Sequence, residues 1–318
     1  MVPALGIAIV FGSVAIGYCI QGGNPVGLLR IHELLMICGS SFGASLVWNR
    51  MEHLAWSGFS FRRAFTSTSM TDEAYLGTLV TLCAVFDFAR RTGPSRLEAD
   101  LDAPDGGLLL GRCRRSFPVQ GSAEFVCDSL RLATLGRLAP FDVVEMLEGD
   151  LELGRMERER PVELARTVAD SLPGFGIAAA VLGVVITMGA MERSPAETGA
   201  KVGSAMMGTF LGILLSYGFA GPVAERMAGS VDSDSRFFQV VGAGVASFVK
   251  GMPTSIAVEF ARREIPPNLR PSYRSVEAAW RDEVARGRNL RQAANIASER
   301  SAVENVRIFP IRNTYSLR

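Results

Sequence analysis

Apolar residues in this chain gather in four blocks set apart by charged sequence. The first runs from Ala4 to Ile20 and the second from Leu34 to Trp48 (LLMICGSSFGASLVW). The third is 21 uncharged residues from Ser171 to Met191, SLPGFGIAAAVLGVVITMGAM. A short charged connector (Glu192, Arg193, Glu197, Lys201) leads to the fourth, 23 uncharged residues from Val202 to Ala224. About 20 apolar residues cross a bilayer core, so the third and fourth blocks are long enough. The second spans with its flanking residues in the interface. No stretch alternates with period two, so no strand is expected. The pattern predicts an all-α membrane protein with four transmembrane helices and a large helical cytoplasmic domain.

The polar sequence between and after these blocks divides the chain into expected parts. Residues 1–48 hold the first two membrane helices, 49–169 a cytoplasmic helical domain, 170–227 the third and fourth membrane helices, and 228–318 a cytoplasmic tail. In the first cytoplasmic part, Asp72 to Arg91 carries Leu76, Leu79, Leu82, Val85 and Phe86 at helical spacing. Acids occupy its first turn, arginines its last, and Thr71 is placed to cap it. Gly93-Pro94 stops it, and a short helix from Arg96 ends at the Pro104–Gly107 turn. Two more helices are expected over Ser122–Leu138 and Pro140–Asp170, with a kink or restart at Pro161. Phe237 to Val249 is apolar but only 13 residues long, which reads as an amphipathic continuation at the membrane surface. A charged helix is expected around Ser275 to Arg291, and residues beyond about 290 carry little hydrophobic pattern.

Charge distribution orients the chain. Of 33 basic residues, only Arg30, Arg193 and Lys201 fall in the two short connectors between membrane helices. The positive-inside rule then puts both termini in the cytoplasm. The first block has no Lys or Arg before it, unlike the basic n-region of a signal peptide, so it is expected to be a retained helix. A net charge of +1 gives no basis for a nucleic-acid partner. Five cysteines (Cys19, Cys38, Cys83, Cys113, Cys127) and two histidines (His32, His53) show no metal-like spacing, and no enzyme motif is present. No catalysis, metal or cofactor is expected.

Candidate chemistry therefore lies in the membrane walls and in one charged tip. Thr209 sits in a GxxxG frame made by Gly208 and Gly212, with Ser204 and Ser216 on the same helix. These hydroxyls either glue neighbouring helices together or line a wet path. Pro173 and Pro222 each cost the helix a backbone hydrogen bond, creating a polar point where a hinge can form. A carboxylate is the group that carries protons through a membrane in small steps. The first, third and fourth blocks have none, and Glu33 stands at the outer edge of the second. An ion-moving group would have to come from another chain. Arg90, Arg91, Gly93, Pro94, Arg96, Glu98 and Asp100 form a charged break between helices, readable as a solvated loop or as a contact surface. The acidic run Glu145, Glu148, Asp150, Glu152 is open to the same two readings.

The segments ADSLPGFGIAAAVLGVV and MGTFLGILLSYGFAGPVA resemble the membrane core of the flagellar motor stator A-subunits, the MotA family, and more distantly ExbB and TolQ. PVGLLRIHELLMICGSSFGA, RRTGPSRLEADLDAP and IAVEFARREI…RPSY extend the resemblance over roughly residues 1–280. It implies a multi-pass inner-membrane subunit in a homopentameric ring. The ring would surround two copies of a MotB-like B-subunit, which supplies the membrane aspartate and binds peptidoglycan. Proton flow would turn the ring against the rotor protein FliG. By motif position, Arg90, Glu98 and Asp150 would be rotor-contact charges. Pro173 and Pro222 would couple ion passage to shape, and Thr209 would line the channel. Ala180, where sodium-type relatives carry threonine, would favour protons. The tip departs from the family in Arg91, Pro94 and Arg96. An ExbB/TolQ-like energiser of outer-membrane processes, or a non-conducting membrane scaffold, is the alternative.

Overall fold

The computed structural model describes residues 2–23, 31–48, 70–102, 107–134, 138–188 and 195–286, and its regular structure there is helical, without a strand among the described residues. In chain order the helices are α1 (Val2–Ile20), α2 (Ile31–Trp48), α3 (Asp72–Thr92), α4 (Pro94–Leu101), α5 (Gly107–Ser116), α6 (Ser122–Thr134), α7 (Pro140–Met188), α8 (Pro195–Leu215), α9 (Gly221–Val249) and α10 (Thr254–Glu264). A further helix, α11, covers 273–286. A five-residue π turn, Ser216–Ala220, carries α8 into α9 without a break. Arg30, His53, Arg193 and the sequence after 286 lie outside the described residues.

Among the described residues, three helices are long and apolar enough to cross a membrane: α1, α7 and the Val202–Val249 rod. The Ile31–Val47 stretch of α2 is a shorter apolar helix. This agrees with a helical membrane protein. The third and fourth blocks, expected as separate spans, are parts of longer rods. The 49-residue α7 runs through both Pro161 and Pro173, so the expected restart at Pro161 does not occur. An interior proline costs a helix about 3 kcal/mol or more. Here Val162 and Leu164, both buried, pin the face beside Pro161.

The chain divides into two compact units, Met1–Ser69 with Gly149–Ser235, and Met70–Glu148 with Arg236–Arg318. In the first unit, Ile37 of α2 packs with Leu172, Ala179 and Leu211 from α7 and α8. A second cluster joins Val162, Val223 and Met227, with Ile7 of α1 against it. The remaining faces of these helices carry exposed large apolar side chains, among them Ile177, Val181, Val185, Ile186, Phe210 and Ile213. That is how a helix surface turned toward lipid or other subunits reads.

In the second unit, α3 supplies a continuous apolar face: Tyr75, Leu79, Leu82, Val85 and Phe86 are all essentially inaccessible. Thr71 caps it as expected, its Oγ1 accepting from the Ala74 N–H at 3.2 Å. The 237–249 stretch, expected to lie on a membrane surface, is instead the centre of this core. Phe237, Val240, Val241 and Val245 are fully buried. The Phe237 ring lies 6.2 Å from Tyr75 and 5.8 Å edge-on from Phe117, and Phe238 is 5.8 Å edge-on from Phe125. Its partners come from helices more than a hundred residues earlier, so length and composition alone could not distinguish membrane burial from protein burial.

A small-residue helix crossing and a charged tip

The membrane wall is built from residues that leave no room. A Cβ added at Gly176 of α7 would stand 2.9 Å from the Gly208 carbonyl oxygen and 3.0 Å from Gly212 Cα. One added at Gly212 of α8 would stand 2.7 Å from the Leu172 oxygen and 2.9 Å from Gly176 Cα. Further along, a Cβ on Gly183 would meet the Ala205 Cβ at 2.8 Å. The two helices therefore cross backbone to backbone through Gly176, Ala179, Gly183, Ala205, Gly208 and Gly212. The GxxxG frame of α8 foretold half of this contact, and its partner glycines on α7 were not singled out.

The coupling candidates fall on and beside this crossing. Ala180 is half-buried one residue from Ala179, and its amide nitrogen would lie 3.3 Å from a Cβ on Gly208. Thr209, next along α8 from Gly208, is half-buried as well. Pro173 is half-buried beside Leu172, within the uninterrupted α7. Pro222 is exposed in the first turn of α9.

At Pro222 the structure adds something the sequence reading missed. The π turn lies immediately before the proline, and the Gly221 N–H closes it by donating to Ser216 O. Proline has no N–H, and its ring clashes with the carbonyl four residues back. Widening the turn by one residue carries that carbonyl away from the ring, so the helix bends its register rather than breaking. The α1 helix packs here too: a Cβ on Gly218 would meet Val10 Cγ1 at 3.0 Å. Single π turns of this kind concentrate at functional sites.

No acid occurs between Ser171 and Met188 or between Val202 and Ala224. Glu33 stands in the first turn of α2 as expected, yet its side chain is only 9% exposed, with His32 Nε2 at 3.8 Å. Among the described residues no group of His, Cys, Asp and Glu could hold a metal ion.

The charged tip resolves into separate roles. Glu98 and Arg96 of α4 are exposed. Arg91 is held by Asp87 at 2.9 Å. Asp100 is a helix cap: its two carboxylate oxygens accept from the Leu108 and Leu109 N–H groups at 3.0 and 3.1 Å, starting α5. Arg90 donates to the Gly251 and Met252 carbonyls. Asp150 is an exposed position on α7, in the first unit. Together with Asp234 it opposes the effect of burial on Arg158, whose guanidinium is pushed below its ordinary pKa by desolvation.

A carboxylate-free wall of small residues, with large apolar faces left uncovered, is that of a helical membrane protein. Comparison with known proteins gives that class a family. The sequence matches "Motility protein A N-terminal" over residues 4–93 and "MotA/TolQ/ExbB proton channel family" over residues 120–239. It is 33% identical over 277 residues to Motility protein A of Escherichia coli, covering 87% of this chain and 94% of that one. It is 28% identical over 273 residues to Chemotaxis protein LafT of Vibrio parahaemolyticus, covering 86% and 96%. The fold is similar to that of C. jejuni MotAB, with a TM-score of 0.66, 15% identity, and 83% and 95% of the two chains covered. For the flagellar MotAB stator complex from Bacillus subtilis the TM-score is 0.62 at 19% identity, covering 87% and 98%. The chain belongs to the motility protein A family.

Proposed function

We propose that this chain is a stator subunit of the bacterial flagellar motor, forming with a MotB-like B-subunit a proton channel that converts ion flow into torque on the rotor. The observation that carries this reading is the tight α7–α8 wall without a carboxylate, which needs a partner chain to supply the titrating group. The family match over residues 4–93 favours it over an outer-membrane energiser. The chain crosses the inner membrane four times with both termini in the cytoplasm, α2 providing the shortest span. Five copies surround two B-subunits, and the apolar faces left open on α7 and α8 are covered by neighbouring copies, by the B-subunits and by lipid. Thr209 lines the path, Ala180 leaves it without the hydroxyl of sodium-type relatives, and Pro173 and Pro222 let the wall change shape as the partner's aspartate gains and loses its proton. Arg90 and Glu98 mark the surface that faces FliG, with Asp150 a further acid.

Energetics fit such a division of work. One charge crossing 100 mV releases about 2.3 kcal/mol, so torque accumulates from many small steps. Each exposed-charge contact with a rotor is worth about 1 kcal/mol or less, weak enough to be made and released at every step. The test is complementation. In a strain without its own stators, the chain and its cognate single-span partner are expected to restore swimming that stops when the proton gradient is collapsed and persists without sodium. Failure to restore swimming, or dependence on sodium, overturns the reading.

A further inference from the structure

We propose that Arg90 is a positioning residue, clamping the end of α3 onto the turn that closes α9 and thereby aiming the tip that carries Glu98. What the tip touches rests on the stator reading; the clamp itself rests on geometry within the second unit alone.

The turn after α9 is a Schellman closure. The Met252 N–H donates to Ser247 O at 3.2 Å and the Gly251 N–H to Phe248 O at 2.9 Å. Gly251 takes φ +84°, the left-handed conformation this motif requires. The closure leaves the Gly251 and Met252 carbonyls facing outward at the negative end of a long helix dipole. Arg90 fills that position. One guanidinium nitrogen, Nη2, donates to both carbonyls. The guanidinium carbon lies 5.3 Å from the centroid of the Phe248 ring, within cation–π range. Phe248 in turn stacks on Phe86, one turn before Arg90 on α3, at 4.5 Å and 8°. A second tie runs beside the first, the Thr254 hydroxyl donating to Asp87 Oδ1 at 3.4 Å.

These contacts end where the tip begins. Only Gly93, at φ +78°, separates α3 from α4, and Pro94 opens α4. The Leu97 N–H donates back to Gly93 O at 3.1 Å, and Leu97 is buried. With one residue between them, the direction of α4 and of the exposed Glu98 follows from how the last turn of α3 is held. Arg90 holds it with a planar cation set against the Phe248 ring, a shape lysine does not have. Among the described residues Arg90 has no carboxylate partner, because Asp87 is taken by Arg91. Its guanidinium is engaged by two backbone carbonyls and a ring while the residue itself stays exposed.

The experiment compares Arg90→Ala, Arg90→Lys and Phe248→Leu in the full chain with its partner. Phe248→Leu alters the clamp without altering any charge. Amide exchange at Lys250, Gly251 and Met252 is followed by mass spectrometry, and stall torque per stator unit by bead rotation. Arg90→Ala and Phe248→Leu are expected to speed exchange at these amides by about fivefold to tenfold. Both are expected to lower torque per unit while the number of recruited units stays the same, and Arg90→Lys is expected to restore torque only partly. Unchanged exchange in Arg90→Ala overturns the proposal. So does full rescue by Arg90→Lys with normal torque in Phe248→Leu, the signature of a charge acting directly on the rotor. If the unaltered chain yields no torque, the stator reading fails while the exchange rates still decide the clamp.

Discussion

Replacing Gly212 by alanine tests whether the α7–α8 crossing is as close as described. The new methyl would sit 2.7 Å from the Leu172 oxygen and 2.9 Å from Gly176 Cα. Both are backbone atoms inside a continuous helix, so neither can turn aside as a side-chain tip would. The helices must separate, and the contacts at Ala179 and Gly208 loosen with them. Overpacking of this kind costs about 1–3 kcal/mol. Against it stands the helix-propensity gain of alanine over glycine, about 0.8–1.0 kcal/mol. With no side chain able to yield, the steric term is expected near or above the top of its range, leaving a net loss of about 2 kcal/mol or more, which is roughly 30-fold or more in the folding equilibrium. Gly203, on the same helix with nothing within 4 Å of an added Cβ, is the control: Gly203→Ala should be neutral or slightly stabilising. Denaturant titration of the detergent-solubilised protein, followed by circular dichroism, measures both. If the two variants unfold alike, the crossing is not backbone to backbone.

Three further outcomes are expected. Thr71→Ala removes the oxygen that accepts from the Ala74 N–H and should cost about 1 kcal/mol, read from the unfolding midpoint. Glu259 bridges Arg262 and Arg263, and its carboxyl is held down to about 2, chiefly by the Arg262 hydrogen bonds. A depressed folded-state pKa gives stability that is present above the unfolded value and lost as pH falls, here between about 4.5 and 2. Because Glu259 is only partly buried and Arg263 is exposed, solvent screening should hold the loss to about 1 kcal/mol, and Glu259→Gln should flatten that part of the stability–pH curve. The Cys83 thiol is pushed up to about 12 by burial and by the nearby Asp87 charge. Maleimide at pH 8 should leave it unmodified in the folded chain and label it only after unfolding, as intact-mass measurement would show.

What could be read in the sequence was whatever depends on neighbours close along the chain. The apolar blocks, the Thr71 cap and the stop at Gly93-Pro94 are local, and each has its counterpart in α1, α2, α3 or the paired rods. Features set by distant partners were not legible. Nothing near Pro161 announces that burial of Val162 and Leu164 will carry the helix past it. Nothing in FFQVVGAGVASFV distinguishes a lipid face from a face against Tyr75 and Phe117. Asp100 read as a surface charge because the helix it caps, α5, was itself not expected. Arg90 read as a free charge because its acceptors are backbone carbonyls 161 and 162 residues away.

The π turn at Ser216–Ala220 also changes how the helix should be counted. A residue inserted into an α-helix rotates everything after it by about 100°, since one turn takes 3.6 residues. Here the extra residue is absorbed within five positions. A helical wheel drawn straight through 202–235 therefore places the residues after the turn on the wrong face. Thr209 and Met227, on either side of the turn, belong to two separate registers. A deletion of one residue inside 216–220 would shift those registers back toward a single α-helical count, whereas the same deletion a turn earlier would rotate Thr209's half of the rod against the rest.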